Sequence, residues 1–221
     1  MDQTSRGVSL RPITDEDVPF LFRLFADPSR CHLWMSGRRV YDERGFGEAW
    51  AGWTAGSIAA KFLVCVAEQP VGLVFDYDRS LEDGFTKVTA LLAGERAGHG
   101  VGVIASALIV RWLFQTLPLH KVYMEVYGYN PSVVRMLRKA GLAEEGVLRR
   151  ARFWDGDHWD LHIFAVYREA WPEIRDRILP IRNSAGRALI KSAAAVIELQ
   201  SNLLQSRVDR RVCEAESGPA V

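Results

Sequence analysis

Apolar and polar residues alternate in VSLRPI, residues 8–13, and this period of two predicts a strand closed by Pro12. The period then lengthens. In TDEDVPFLFRLFAD, Phe20, Leu21, Leu24 and Phe25 make a stripe at helical spacing, with Thr14 at the cap position. Asp15, Glu16 and Asp17 stand where a helix dipole favours acids. Residues 42–56 carry a second helical pattern diluted by glycine, with Phe46, Trp50 and Trp53 spaced four and three apart. Two apolar runs flank EQPVG in KFLVCVAEQPVGLVFDY, which predicts a hairpin turning at EQPVG; FTKVTALLA, residues 85–93, predicts a further strand. Residues 101–115 are apolar almost all round, as in a helix buried on most of its surface. HKVYMEVY is a strand, and PSVVRMLRKAGL a short helix with Pro131 in its first turn and Gly141 at its stop. GVLRRARFWDGDHWDLHIFAVY reads as two strands around an Asp-Gly turn.

Strands and helices therefore mix, with one strand–helix–strand crossover in the middle of the chain. The fold class is α/β (α+β) with a mixed sheet flanked by helices. The domain occupies residues 1–171, a helical extension residues 172–213, and a tail that reads as disordered residues 214–221. Within the extension, Ile190, Ala194, Ile197, Ser201, Leu204 and Val208 recur four and three apart, a coiled-coil-like seam on an added C-terminal helix. Packing on its own domain and a homodimer contact both fit that seam.

Composition narrows the partners. A chain of 221 residues with 48% hydrophobic residues can bury a full core, and a net charge of +1 creates no general field for nucleic acid or anionic lipid. Neither nucleic acid nor membrane is expected as a partner. Cys31, Cys65 and Cys213 form no C-x-x-C pair and no even set, which fits a reducing, cytoplasmic setting. The start, MDQTSRGVSL, lacks a basic segment followed by an apolar one, so the protein is expected to be soluble and unexported. His32, His158 and His162 show no metal-ligand spacing, and no metal is expected.

The candidate chemistry begins at ERAGHGVGVIASALIVRWLF, residues 95–114, where Gly98, Gly100 and Gly102 occupy alternate positions ahead of the apolar helix. A helix N-terminus exposes backbone N–H groups that lack intrahelical acceptors, and glycines let an anion reach them. The dinucleotide fingerprint fails because Val103 stands at its third glycine, and the nucleoside-triphosphate loop fails for want of Gly-Lys-Ser/Thr. A phosphate-binding turn between a strand and a long helix remains. A turn that needs only positive φ is the plainer alternative.

Four stretches in this order carry a resemblance: VSLRPITDEDVPFLFRLFADP, AGHGVGVIASALIVRWLF, KVYMEVYGYNPSVVRMLRKAGLAEEGVLR and WDGDHWDLHIFAVYREAW. Together the chain resembles the GNAT superfamily of acyl-CoA-dependent N-acyltransferases, in particular its RimJ/RimL-like branch, from about Val8 to Trp171. The resemblance implies a GNAT-like mixed central sheet splayed at strands 4 and 5, with the pantetheine arm of acetyl-CoA in the splay. It implies that Ala97, Gly98, His99, Gly100, Val101 and Gly102 meet the pyrophosphate, that Leu91 and Leu92 offer strand backbone to the pantetheine, and that Asn130 meets the cofactor arm. The chain departs from the family pattern at four places. Ala97 stands where arginine or glutamine is usual, with Arg96 one place early; Leu137 replaces a thiol-protonating tyrosine; Val133 replaces a serine, with Ser132 adjacent; and Lys87 replaces a frequent glutamate.

Acetyl transfer to an amine needs a neutral nucleophile, a polarised carbonyl and a proton for the departing thiolate. Glu125, a carboxylate on an otherwise apolar strand beside the splay, is the candidate base, its pKa raised by burial; an outward-facing ion pair is the alternative. Ser132 or water returns the proton to sulfur. The acceptor side would come from the first two helices and the late hairpin, with Trp34, Tyr41, Phe46, Phe153, Trp154 and Trp159 near Asp42, Asp76, Asp78, Asp157 and Asp160, a setting that suits a cationic amine. The expected function is acetyl-CoA-dependent N-acetyl transfer by direct attack of a primary amine. The acceptor is a small metabolite such as an amino sugar or polyamine, or a protein N-terminus. Two alternatives stay open, a catalytically inactive acyl-CoA-binding scaffold or sensor, and a donor larger than acetyl.

Overall fold

A computed structural model describes residues 7–33, 42–55, 59–94 and 100–179. The elements run β1 (Val8–Arg11), α1 (Val18–Ala26), α2 (Glu43–Thr54), β2 (Lys61–Val66), β3 (Gln69–Ser80), β4 (Phe85–Leu92), α3 (Val101–Thr116), β5 (Lys121–Tyr127), α4 (Pro131–Ala140), β6 (Ala143–Trp154), β7 (Asp157–Tyr167) and α5 (Trp171–Ile178). They build one seven-stranded sheet in the order β1-β2-β3-β4-β5-β7-β6. Every neighbouring pair is antiparallel except β4 and β5, which the α3 crossover joins in parallel. The mixed sheet expected from the pattern is therefore present. No helix among the described residues is long and apolar enough to cross a membrane.

Alternation along the strands sends apolar residues to both faces, so the sheet has two cores. On one face α3 brings Ala105, Leu108, Ile109 and Leu113 against Val64, Val74, Val88 and Val122. On the other, Leu21 and Leu24 of α1 and Phe46 and Trp50 of α2 pack on Leu63, Cys65, Leu73 and Leu91. Cys65 is 1% exposed and burial pushes its thiol pKa up, so it is a core residue. Trp171 and Ile174 of α5 are buried in the α3-side core, which ties the start of the C-terminal extension to the domain. The heptad-like seam of residues 188–208 and the tail 214–221 lie outside the described residues.

One turn differs from the sequence expectation. The first hairpin turns at Ala67 and Glu68, both at positive φ (49° and 65°), so the turn overlaps EQPVG only at its first residue. Gln69 and Pro70 already belong to β3, where Pro70 lies opposite Cys65 at a shift in register. Neither turn residue is a glycine or asparagine, so the sequence carried no signal for a turn there. The late hairpin turns where Asp-Gly predicts, with Asp155 at φ 51° and Gly156 at φ 81°.

Two buried carboxylates pin the frame. Asp76 of β3 is 0% exposed and accepts from Ala60 N–H (2.5 Å), Thr86 Oγ1 (2.9 Å) and the Arg79 guanidinium (2.8 Å). It was expected on the acceptor side; it is instead sealed in the sheet, holding the approach to β2 and the start of β4. Replacing Asp76 by alanine orphans Arg79, which is 8% exposed, and should cost about 3–5 kcal/mol of stability in urea unfolding. Asp17 accepts twice from Arg11 at 2.7 Å and from Thr14 N–H at 2.9 Å. The Arg11 bonds hold its pKa below the ordinary 3.8. A depressed acid stabilises the fold above its unfolded pKa and loses that contribution as pH falls through the folded value. Asp17→Asn should therefore unfold more easily at neutral pH, and its stability should fall less steeply than that of the wild type as pH drops below about 4; urea midpoints across that range test this.

Candidate active site

The central seam of the sheet opens almost as soon as it forms. β4 and β5 are paired only at Phe85–Lys121, Thr86–Val122 and Lys87–Tyr123. Beyond that, β3 stays paired to β4 as far as Leu92, and β7 to β5 as far as Tyr127. The two halves of the sheet are thus intact, and the strand edges facing each other from Val88 and Met124 onward have backbone groups to offer a ligand. A cavity of about 620 Å³ fills this wedge. Val88, Ala90 and Leu92 line it from β4, Met124, Val126 and Tyr127 from β5, and Ser106, Ala107 and Val110 from α3. It runs beneath α4 to Trp171 and Ile174 of α5. Leu92 reaches it with its side chain. Leu91 turns its side chain into the α1–α2 core, so only its backbone bears on the wedge.

The mouth of the wedge meets the N-terminus of α3. Gly100 and Gly102 line the cavity, whereas Ala97, Gly98 and His99 lie outside the described residues. Gly100 is the N-cap in a left-handed conformation, φ 75°, with open space where a Cβ would stand. A Cβ on Gly102 would come within 3.3 Å of Leu92 Cδ1. Both glycines therefore have a conformational or packing reason, and both also leave the helix end bare. The first intrahelical bond runs from Ile104 N–H to Gly100 O at 3.1 Å, which leaves the N–H groups of Val101, Gly102 and Val103 without acceptors in the helix. Three amide donors and the positive end of a 16-residue helix can hold a diphosphate at this mouth.

The candidate chemical groups surround the same wedge. Glu125 and Lys87 project to the α1–α2 face, opposite to Val88 and Met124, and meet across the last β4–β5 pair with Lys87 Nζ 2.8 Å from Glu125 Oε1. Asp78 approaches the same ammonium at 3.2 Å. Burial pulls the Lys87 pKa down, but the bonds to Glu125 and Asp78 outweigh it and leave Lys87 raised, hence cationic. Glu125 thus combines the two expectations: it lines the cavity, and it is ion-paired, each side chain being 25% exposed. Ser132 and Asn130 line the cavity together at the start of α4, and Ser132 Oγ donates to Asn130 Oδ1 at 3.1 Å. Leu137 also lines it, buried and with no hydroxyl.

The expected acceptor wall holds in part. His32 stacks on Trp154 at 4.5 Å and 9°, and Tyr129 donates its hydroxyl to His32 O at 2.8 Å, so the segment after α1 is docked on the β6–β7 hairpin. Trp159 meets Tyr129 edge-on at 5.9 Å. Burial, then the charge of Arg30, lowers the His32 pKa and keeps its imidazole neutral at physiological pH. Other expected members do not reach this wall. Phe46 is 5% exposed in the α1–α2 core, Asp42 caps α2 through Gly45 N–H, and Asp160 is taken by Arg149 and by Arg150 N–H. Trp34 and Tyr41 lie outside the described residues. The sequence reading missed Arg30, Tyr127, Thr89 and Ser106, all of which line the cavity. Helix position could have found Ser106; Thr89 and Tyr127 reach the cavity from the other parity of their strands, and Arg30 sits in a loop and left no periodic signal.

A family model described as an acetyltransferase (GNAT) domain matches residues 8–143. The chain belongs to the GNAT acetyltransferases, which move an acetyl group from acetyl-CoA to an amine. It is 27% identical over 99 residues to an SPbeta prophage-derived uncharacterized N-acetyltransferase of Bacillus subtilis (strain 168), a match spanning 45% of this chain and 56% of that one. It is 21% identical over 199 residues to the spermidine N(1)-acetyltransferase of Escherichia coli (strain K12), spanning 86% of this chain and 98% of that one. Among solved structures, the spermidine N-acetyltransferase from Vibrio cholerae in complex with CoA and spermine superposes with a TM-score of 0.69 at 21% identity, covering 75% of this chain and 98% of that one.

Gly100→Asp sets a carboxylate at the anion site, and Gly100→Asn imposes the same positive-φ conformation without the charge. Both variants should fold, with roughly 1–2 kcal/mol lost to backbone strain. Coenzyme A should bind the aspartate variant at least about tenfold more weakly than the asparagine variant, as calorimetry would report.

Proposed function

We propose that this GNAT protein acetylates a primary amine of the polyamine class, with Glu125 as proton acceptor and Ser132 or water as proton donor to the departing thiolate. The observation that carries the reading is the wedge between β4 and β5. It connects the bare α3 N-terminus to a carboxylate on the opposite face of the sheet, so that a donor held by one end presents its thioester to an amine at the other. An amine entering from the α1–α2 face meets Glu125, with Asp78 beside it, and the aromatic rings of Tyr127, Tyr129 and Trp154. Carboxylates and π faces suit an alkylammonium. The two carboxylates already hold the ammonium of Lys87, which also lies 5.8 Å from the Tyr77 ring centroid, an intramolecular example of the cation they favour. Spermidine acetyltransferases that match along nearly their whole length support the acceptor class.

Direct attack requires the amine to shed a proton, which Glu125 takes directly or through water, and no covalent enzyme intermediate arises. Asn130, Leu91 and Leu92 hold the pantetheine arm, and the turn from Ala97 through Gly98, His99, Gly100 and Val101 to Gly102 holds the diphosphate. The same proposal assigns the chain to the RimJ/RimL-like branch on its motif order. It places the protein in the cytoplasm on its cysteine usage and ends the catalytic domain at residue 171. It leaves residues 188–208 a choice between their own domain and a homodimer.

A thiol-release assay with acetyl-CoA should show turnover with spermidine or spermine and far less with amino sugars. Turnover confined to amino sugars or peptides would refute the polyamine assignment. Glu125→Gln should lower kcat by about 100-fold or more while leaving coenzyme A affinity intact. A fully active glutamine variant would remove Glu125 from the chemistry.

A further inference from the structure

The turn that meets the diphosphate is poor in formal charge: AGHGVGV, residues 97–103, has neither lysine nor arginine. A cation nevertheless stands at the mouth of the wedge, supplied by the segment after α1. Arg30 lines the cavity together with Gly100, Gly102 and Leu92. Its backbone is fixed by a tight turn, with Arg30 N–H donating to Asp27 O at 3.2 Å and Leu33 N–H to Arg30 O at 2.9 Å. Its side-chain stem lies against Gly94, with Cδ 3.6 Å from where a Cβ on that glycine would stand. Gly94 follows β4 by two residues, so the arginine stem is carried to the end of that strand. Arg30 Nε is buried and meets no hydrogen-bond acceptor among the described residues.

A guanidinium N–H withdrawn from water without an acceptor is costly, and proteins keep such a group where a ligand supplies the acceptor. Its flat fork matches a phosphate better than an ammonium would. We propose that Arg30 binds the diphosphate of the acyl-CoA from the α1 side, opposite the N–H groups of Val101, Gly102 and Val103, and supplies the charge that the glycine turn lacks. This rests on the acyl-CoA reading of the cavity. It also joins the two substrate sites: the segment that carries Arg30 is docked through His32 on Trp154, at the acceptor wall, so cofactor binding fixes the loop against which the amine must settle.

The test compares the wild type with Arg30→Met and Arg30→Lys. Calorimetry measures coenzyme A and dephospho-coenzyme A, which keeps the diphosphate but lacks the 3′-phosphate. Pantetheine, which has no phosphate, is measured as a competitor of acetyl-CoA. The methionine variant should bind both phosphorylated ligands roughly 10- to 100-fold more weakly and pantetheine unchanged, with the lysine variant between. Without ligand it should melt no lower than the wild type, because a buried N–H with no acceptor among the described residues has been removed, and coenzyme A should raise its Tm less. Coenzyme A affinity equal to the wild type overturns the proposal. So does a loss confined to the ligand bearing the 3′-phosphate, or a loss shared equally by pantetheine. A wild type that binds none of the three contradicts the acyl-CoA reading itself, which tells the two failures apart.

Discussion

A parallel strand pair that is hydrogen-bonded over only three residue pairs leaves the backbone of two strands facing an open wedge, and in this chain every part of the site is hung on that wedge. Because β3 and β7 remain paired to the outer edges of β4 and β5, the gap is held open by two rigid half-sheets rather than by loops. The α3 crossover makes the arrangement possible. Its N-terminus lies at the wide end of the wedge, and its buried flank of Ala105, Leu108 and Ile109 fixes the helix on the β4 side. In the proposed reading, the sheet itself sets the positions of a diphosphate at the helix end and a thioester near the last paired residues.

The same geometry sorts the charges. Residues of even number on β4 and β5 feed the α3-side core, and residues of odd number face α1 and α2, which places Lys87 and Glu125 on the α1–α2 side at the apex of the wedge. Their ion pair ties β4 to β5 where the last hydrogen-bonded pair ends, so it closes the seam as well as holding the carboxylate proposed as the base. An amine bound as proposed must compete with Lys87 for Glu125 and Asp78. Partly exposed pairs of this kind are weak in net energy, so the exchange of one ammonium for another is not a large barrier.

Much of the fold was legible because the periods were unambiguous. The all-apolar α3, the Pro131 and Gly141 punctuation of α4 and the Asp-Gly turn of the late hairpin each encode their element locally. The first hairpin was misplaced because Ala67 and Glu68 adopt left-handed backbone with no residue that advertises it, while Pro70, a turn former by habit, lies inside a strand at a register shift. The half of the cavity proposed for the cofactor was legible through Gly100 and Gly102, which line its mouth and whose missing side chains are visible in one dimension. The acceptor half was not. Asp76 and Phe46 look like pocket residues in sequence, yet tertiary packing seals both, whereas Arg30 and Tyr127 reach the cavity through a loop turn and a strand end that no local pattern marks.

The account turns on the wedge as the seat of the pantetheine arm, and amide hydrogen exchange with and without coenzyme A tests it most directly. Binding should slow exchange in Val88–Leu92 of β4, in Val101–Val103 at the start of α3 and in Met124–Tyr127 of β5, while β1, β2 and β6 stay unchanged. Protection elsewhere with none on the facing edges of β4 and β5 would contradict the account.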